Sequence, residues 1–161
     1  MAASLVLFHP DGSVLLQQRA YFMKKGGGLL NVPGGYLEKD EDPFLGALRE
    51  GQEETGYHLI DYYKSRRDEA LIIPNADRSH YDVVIVVDKE WRWTNKKDWS
   101  YPTHANESSP HFTKNPSRAK WVSIDEIFSY DPPAARSDSG KLIKLWDCAV
   151  ESIRKHISSR R

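Results

Sequence analysis

Between Gly35 and Gly56 the chain spaces one arginine and four glutamates in the pattern G-x5-E-x7-R-E-x-x-E-E-x-G: Gly35, Glu41, Arg49, Glu50, Glu53, Glu54 and Gly56. At residue frequencies of roughly 6–7% a match of seven positions at any one start has a chance of about one in 10^8. The spacing also dictates a local structure. Asp42 is a helix N-cap, and Pro43 follows at the first helical position, where its missing N–H costs nothing. A helix from Pro43 to Thr55 is therefore expected, ended by Gly56 in the left-handed region. At about 100° per residue, Phe44, Ala47, Leu48, Gly51 and Thr55 share one face, and Glu50, Glu53 and Glu54 fall within an arc of about 100° on another. The first face suits a core. The second brings three carboxylates into one small volume, where like charges at i,i+3 and i,i+4 each cost a few tenths of a kcal/mol. Arg49 is the one cation between Pro43 and Thr55. A solvated acidic face is the plain reading of an isolated E-x-x-E-E. The register of Gly35, Glu41, Arg49 and Gly56 argues instead for a hard divalent cation, which reverses the sign of the repulsion. Mg²⁺ keeps waters and bridges phosphates, so such a site suits phosphate chemistry.

This segment, Gly35–Tyr57, resembles the Nudix box, the signature of Mg²⁺-dependent hydrolases that cleave nucleoside diphosphates linked to another group. The resemblance implies an α/β fold, the α/β/α sandwich with a central mixed β-sheet, and covers residues 3 to about 130. It implies metal ligation by Glu50, Glu54 and, as in some members, Glu53, with the carbonyl of Gly34 as a further ligand and Mn²⁺ as an alternative ion. Arg49 matches the arginine that orients these glutamates, and Glu41 a glutamate that supports the loop. The Pro33-Gly34-Gly35 turn exposes backbone for close approach of a ligand, which makes Gly35 a candidate substrate contact.

Three positions depart from the family pattern. Gly51 stands where an aliphatic residue is common, at a cost of roughly 1 kcal/mol relative to Ala inside a helix, and signals close packing of the helix on a sheet. Tyr57 replaces Ile, Leu or Val. Leu30 replaces a Trp found in many members.

A chain of 161 residues suits one domain with its own core, expected over 1–161. Lys+Arg and Asp+Glu both number 23, so no global field draws nucleic acid or an anionic membrane. No apolar run approaches the ~20 residues of a membrane span, and Met1–Phe8 lacks the basic start of a signal peptide. The single Cys148 fits a reducing, cytoplasmic setting and is expected in the core of a helix.

Strands are expected at Ala3–His9 and Ser13–Arg19, joined by His9-Pro10-Asp11-Gly12, and at His58–Tyr63, Ala70–Pro74, Tyr81–Asp88 and Ala119–Val122. Ser123-Ile124-Asp125-Glu126 is a capping box opening a short helix, which Asp131-Pro132-Pro133 ends. A C-terminal amphipathic helix is expected over about 139–158, with Leu142, Leu145, Trp146, Ala149, Ile153 and Ile157 as its stripe. That stripe suits either the sheet or a homodimer interface. Residues 92–118 form a long polar loop, a length usually tied to function.

Substrate-setting residues are sought outside the box. Arg19 ends the second strand where the family often contacts substrate, and its planar fork suits phosphate. Lys24 and Lys25 suit terminal phosphates. In the long loop, Trp99 and Tyr101 are placed to stack a base, and Glu107 is the best-placed acid for a late metal ligand or general base, ahead of Glu90. The reaction implied is hydrolysis of a pyrophosphate bond. Glu53 or Glu107 takes a proton from a water acidified by Mg²⁺, and catalysis is mostly positioning and charge stabilisation. ADP-ribose and nucleotide sugars lead the substrate classes, then (d)NTPs, dinucleoside polyphosphates and RNA caps; zero net charge weighs against longer RNA. A non-catalytic Nudix-type nucleotide sensor is the alternative. Isoprenoid diphosphate isomerisation would call for a Cys near the site, and Cys148 lies far along the chain.

Overall fold

The computed structural model describes residues 1–18, 28–88, 118–137 and 140–157. Its frame is a mixed sheet. β1 (Ala2–Phe8) turns through His9–Gly12 into β2 (Ser13–Gln18), with Phe8 opposite Val14. On its other edge β1 runs parallel to β6 (His80–Val86), paired from Ala2↔His80 to Phe8↔Val86. β5 (Ala70–Pro74) pairs antiparallel with β6, and β7 (Arg118–Ser123) with β2. Two short strands complete the sheet: β3 (Leu30–Asn31) on β2, and β4 (Gly34–Tyr36) on the first half of β1. The order β3-β2-β1-β6-β5, with β4 on β1 and β7 on β2, holds among the described residues. Buried on both faces, β1 and β6 are near-continuous apolar runs, as the pleat requires of a central strand.

Each sheet face is covered by helices, so the architecture is the α/β/α sandwich expected. α1 (Pro43–Thr55) is capped by Asp42, whose side chain accepts the Leu45 N–H, and ends at Gly56 with φ 76°. Its buried side, including Phe44, Ala47 and Leu48, packs on Leu5, Leu7, Leu15, Val83 and Ile85. Tyr57 is buried in the same cluster at 1% exposure, so the aromatic substitutes for the usual aliphatic as core. The opposite face carries Val6, Phe8, Val14, Leu16 and Val84 against α3 (Ile124–Phe128) and α4 (Asp147–His156). Ser123 caps α3, accepting the Glu126 N–H, as the capping box predicts. Among the described residues no helix is long and apolar enough to cross a membrane.

Three expectations are corrected. His58–Tyr63 is not a strand: Leu59–Tyr63 forms a short helix, α2. Leu59 and Tyr63 are both buried at i,i+4 spacing, and the Ile60 N–H is taken by the Gln52 side chain of α1, so packing on α1 overrides the strand propensity of the aromatic run. The C-terminal helix begins at Asp147 rather than near 139. Leu142–Lys144 is instead a strand, β9, paired with β8 (Ala134–Arg136), with Leu142 and Lys144 exposed and Ile143 buried between them, a period of two. Cys148 is exposed, because the buried side of α4 is Ala149, Ile153 and His156. The apolar stripe of α4 therefore covers this chain's own sheet.

Gly51 shows how tightly α1 lies on the sheet. A Cβ there would stand 2.5 Å from Leu5 Cδ2 and 2.8 Å from Leu59 Cδ1. Gly51→Val is expected to lose about 1–3 kcal/mol of stability by overpacking, read as a lower urea midpoint at unchanged slope.

Candidate active site

One flank of α1 faces β4. Arg49 sits at the centre and makes a two-pronged bond to Glu41, Nε to Oε2 at 2.8 Å and Nη2 to Oε1 at 2.9 Å. Its Nη1 donates to Glu50 Oε1 at 3.1 Å and, at 3.3 Å, to Glu53 Oε1 one turn on. Nη2 also reaches the carbonyl of Tyr36 at 3.3 Å, which ties the helix to the strand. Planar five-donor geometry lets one guanidinium serve all these acceptors. Glu41 in turn accepts the Glu38 N–H at 3.0 Å, so the loop before the helix is held by the residue that holds Arg49.

β4 closes the other side. The Gly34 N–H donates to Glu54 Oε2 at 3.0 Å. A Cβ on Gly35 would stand 2.6 Å from the Glu50 carboxyl carbon, so the Glu50 carboxylate lies directly against the Gly35 backbone. Any side chain at Gly35 would displace it. Tyr36, which no motif singles out, is 83% exposed beside this strand.

The charges are unbalanced. Glu41, Glu50, Glu53 and Glu54 carry four negative charges to the one positive charge of Arg49, a net of −3 over these five residues when all are ionised. The Glu41 carboxyl is held below the ordinary range, chiefly by its hydrogen bond from Arg49. The same bond raises Arg49 above its usual value. Glu50 moves the other way: burial pushes its carboxyl up, the neighbouring carboxylates add to that, and Arg49 offsets only part. An acid that resists ionisation beside further acids is a position where added positive charge would be favourable.

Of the residues expected at the site, Gly34, Gly35, Arg49, Glu50, Glu53 and Glu54 are brought together. Among the described residues, however, no three His, Cys, Asp or Glu side chains stand in ready metal-ligand geometry. Glu50 and Glu53 are turned onto Arg49, and Glu54 onto the Gly34 amide. Arg19, Lys24, Lys25, Glu90, Trp99, Tyr101 and Glu107 lie outside the described residues. The site also has a support that the motif does not show. Asp42 caps α1 and pairs with Arg67 through two bonds, at 2.7 and 2.8 Å. Arg67 comes 25 residues later, so no local pattern couples the two.

A family comparison matches residues 1–146 of the chain to the NUDIX domain. The chain belongs to the Nudix family. Solved Nudix structures share the fold at low identity. The chain is similar to a bifunctional NMN adenylyltransferase/ADP ribose pyrophosphatase from Francisella tularensis, complexed with AMP and a manganese ion, at 18% identity and a TM-score of 0.61, covering 99% of this chain and 41% of that one. It thus spans well under half of that bifunctional protein. It is also similar to the Nudix hydrolase RenU from M. smegmatis (18% identity, TM-score 0.55, 99% and 86% covered). The Nudix domain of Shewanella oneidensis NrtR, complexed with ADP ribose, gives 16% identity and a TM-score of 0.54, with 99% and 87% covered. Comparison with curated proteins gave no match.

The raised Glu50 carboxyl has a measurable consequence for this Nudix domain. Its charged form is less favourable folded than unfolded, so it costs stability above the raised value, and the cost is relieved as pH falls through that value. Without metal at pH 7, Glu50→Gln is expected to melt above the wild type. The gap closes as pH falls through the raised Glu50 value towards the ordinary carboxylate range near ~4.3. Thermal melts in a chelator across pH check both the sign and the window.

Proposed function

We propose that this chain is a divalent-metal-dependent pyrophosphohydrolase acting on a nucleoside diphosphate linked to another group. ADP-ribose or a nucleotide sugar is the first choice of substrate, and a (d)NTP the second. The observation that carries this reading is the carboxylate array of Glu50, Glu53 and Glu54 built around Arg49 against the Gly34–Gly35 backbone. The preference for ADP-ribose draws on the aromatic content of residues 92–118, Trp99 and Tyr101, on the name of the Francisella ADP ribose pyrophosphatase and on the ADP ribose bound to the Shewanella domain.

The donor set fits a hard cation: carboxylate oxygens and backbone carbonyls, with an excess of negative charge. Glu50, Glu53, Glu54 and the Gly34 carbonyl would hold Mg²⁺ or Mn²⁺. When bound, the ion supplies charge neutralisation of the diphosphate and acidification of a water. The protein does the rest. Arg49 orders Glu50 and Glu53 and would yield part of its hold on them to the incoming cation. Glu54 is aimed by the Gly34 amide. Glu53, with 40% of its side chain exposed and the longer bonds to Arg49, is best suited to take a proton from the attacking water. Arg19 and Lys25 are assigned to the phosphates, and Glu107 to the late metal ligand or base. A nucleotide sensor without turnover is the second reading, and the intact set of Glu50, Glu53 and Glu54 weighs against it.

A product-resolved assay with Mg²⁺ tests this over ADP-ribose, nucleotide sugars, NADH, dinucleoside polyphosphates and dNTPs. Glu54→Gln and Glu53→Gln are each expected to lower turnover at least tenfold, about 1.4 kcal/mol of barrier, and a chelator to abolish it. If neither substitution slows metal-dependent turnover, the site assignment is wrong. Ligand-induced stabilisation with no turnover would establish the sensor.

A further inference from the structure

The sheet face under α4 is apolar except at one end. There Asp82 is 6% exposed and His156 2% exposed, beside a cluster that contains Val84 and Ile153. His156 Nε2 lies 2.8 Å from Asp82 Oδ2, and the Ser152 hydroxyl donates to the same oxygen at 3.2 Å. On the other carboxylate oxygen, His80 Nε2 stands at 3.2 Å, and that nitrogen is also 3.0 Å from Ser4 Oγ. Burial works against the Asp82 carboxylate, but hydrogen bonds from His80 and His156 outweigh it and hold the carboxyl below its usual range. A buried carboxylate with hydrogen-bonded partners is weak evidence of net stabilisation, since apolar residues of the same volume often do as well or better. What it does supply is a directional link at one place.

That place is fixed by the strand registers. Ser4 is paired on one side with Asp82 and on the other with Gly34. A Cβ on Gly34 would stand 2.5 Å from the Ala3 carbonyl oxygen, 2.9 Å from Ser4 Cα and 3.2 Å from Ser4 Oγ, so the glycine backbone lies against the Ala3–Ser4 main chain and the serine hydroxyl. Gly34 then donates its N–H to Glu54. Hydrogen bonds run from α4 through His156, Asp82 and His80 to Ser4; from there strand pairing and close contact carry the link to Gly34, whose N–H bonds Glu54.

We infer that Asp82 is a positioning residue: with His156, His80 and Ser4 it fixes the Gly34 backbone against Glu54, so that the C-terminal helix braces the site from the far face of the sheet. The inference rests on the hydrolase reading only for the purpose that the brace serves. Its role differs from bulk packing, which any apolar residue at these positions would supply.

The experiment compares Asp82→Asn and His156→Gln with Ile153→Ala, a substitution in the apolar packing of the same helix. Amide hydrogen exchange is followed by NMR without metal, and Mn²⁺ affinity by titration of free Mn²⁺. In Asp82→Asn, exchange at Gly34 is expected to rise at least tenfold relative to Val84, and Mn²⁺ affinity to fall at least threefold. Ile153→Ala should lower the melting temperature while moving both amides together. If Asp82→Asn does not fold, His156→Gln carries the same expectation. Should both brace variants leave the Gly34-to-Val84 ratio at the wild-type value, the inference is overturned. Because exchange is read without substrate, a silent wild type in the turnover assay defeats the hydrolase reading and leaves this result legible.

Discussion

A single guanidinium organises the chemistry of this protein. Arg49 bonds Glu41, Glu50, Glu53 and the Tyr36 carbonyl at once. Without it, a helix flank with three carboxylates would repel itself and the strand beside it. A lysine could neutralise one charge but not span these acceptors, because an ammonium is a point and the fork is a plane. The arrangement is balanced between two needs. It holds the acids together, yet leaves a net negative charge and a half-buried Glu50 whose ionised form is disfavoured.

The glycines make that proximity mechanical. Gly51 lets α1 come down on Leu5 and Leu59, Gly35 lets the Glu50 carboxylate touch backbone, and Gly34 lets β4 lie on Ser4. Each removes a side chain where two elements meet. The helix, the strand and the sheet are thus spaced by main chain rather than by rotamers, which suits a site whose ligands must be placed closely. The helix-interior cost of Gly51 is offset by what its absence of a side chain allows.

How much of this was legible in the sequence depended on how local the deciding interaction is. The α1 helix could be read to the residue, because Asp42, Pro43 and Gly56 set its ends and the 3.6 period sets its buried side. The box residues and the sandwich followed from the same segment. The helix at Leu59–Tyr63, where a strand is expected over His58–Tyr63, has no local signal: so short a run has no period of its own, and contact with Gly51 and Gln52 decides its conformation. Leu142–Lys144 hides its strand for the opposite reason: its apolar residues continue a helical stripe, but pairing with Ala134–Arg136 claims them. The Asp82 network left one trace, an acid inside a β-branched strand. Its partner His156 lies 74 residues away, beyond the reach of any local pattern.

The parallel pairing of β1 with β6 has a consequence for how the molecule assembles. Ala2 meets His80, 78 positions later, and the register continues to Phe8 and Val86. α1 can form early from local contacts, but the floor that it rests on joins two ends of a long excursion. Closing that excursion costs chain entropy before any sheet contact repays it. Contacts between strands so far apart in sequence are of the kind that form slowly. Until β6 arrives, α1 has Leu5, Leu7 and Leu15 beneath it but not Val83 and Ile85, so its carboxylates stand on half a floor.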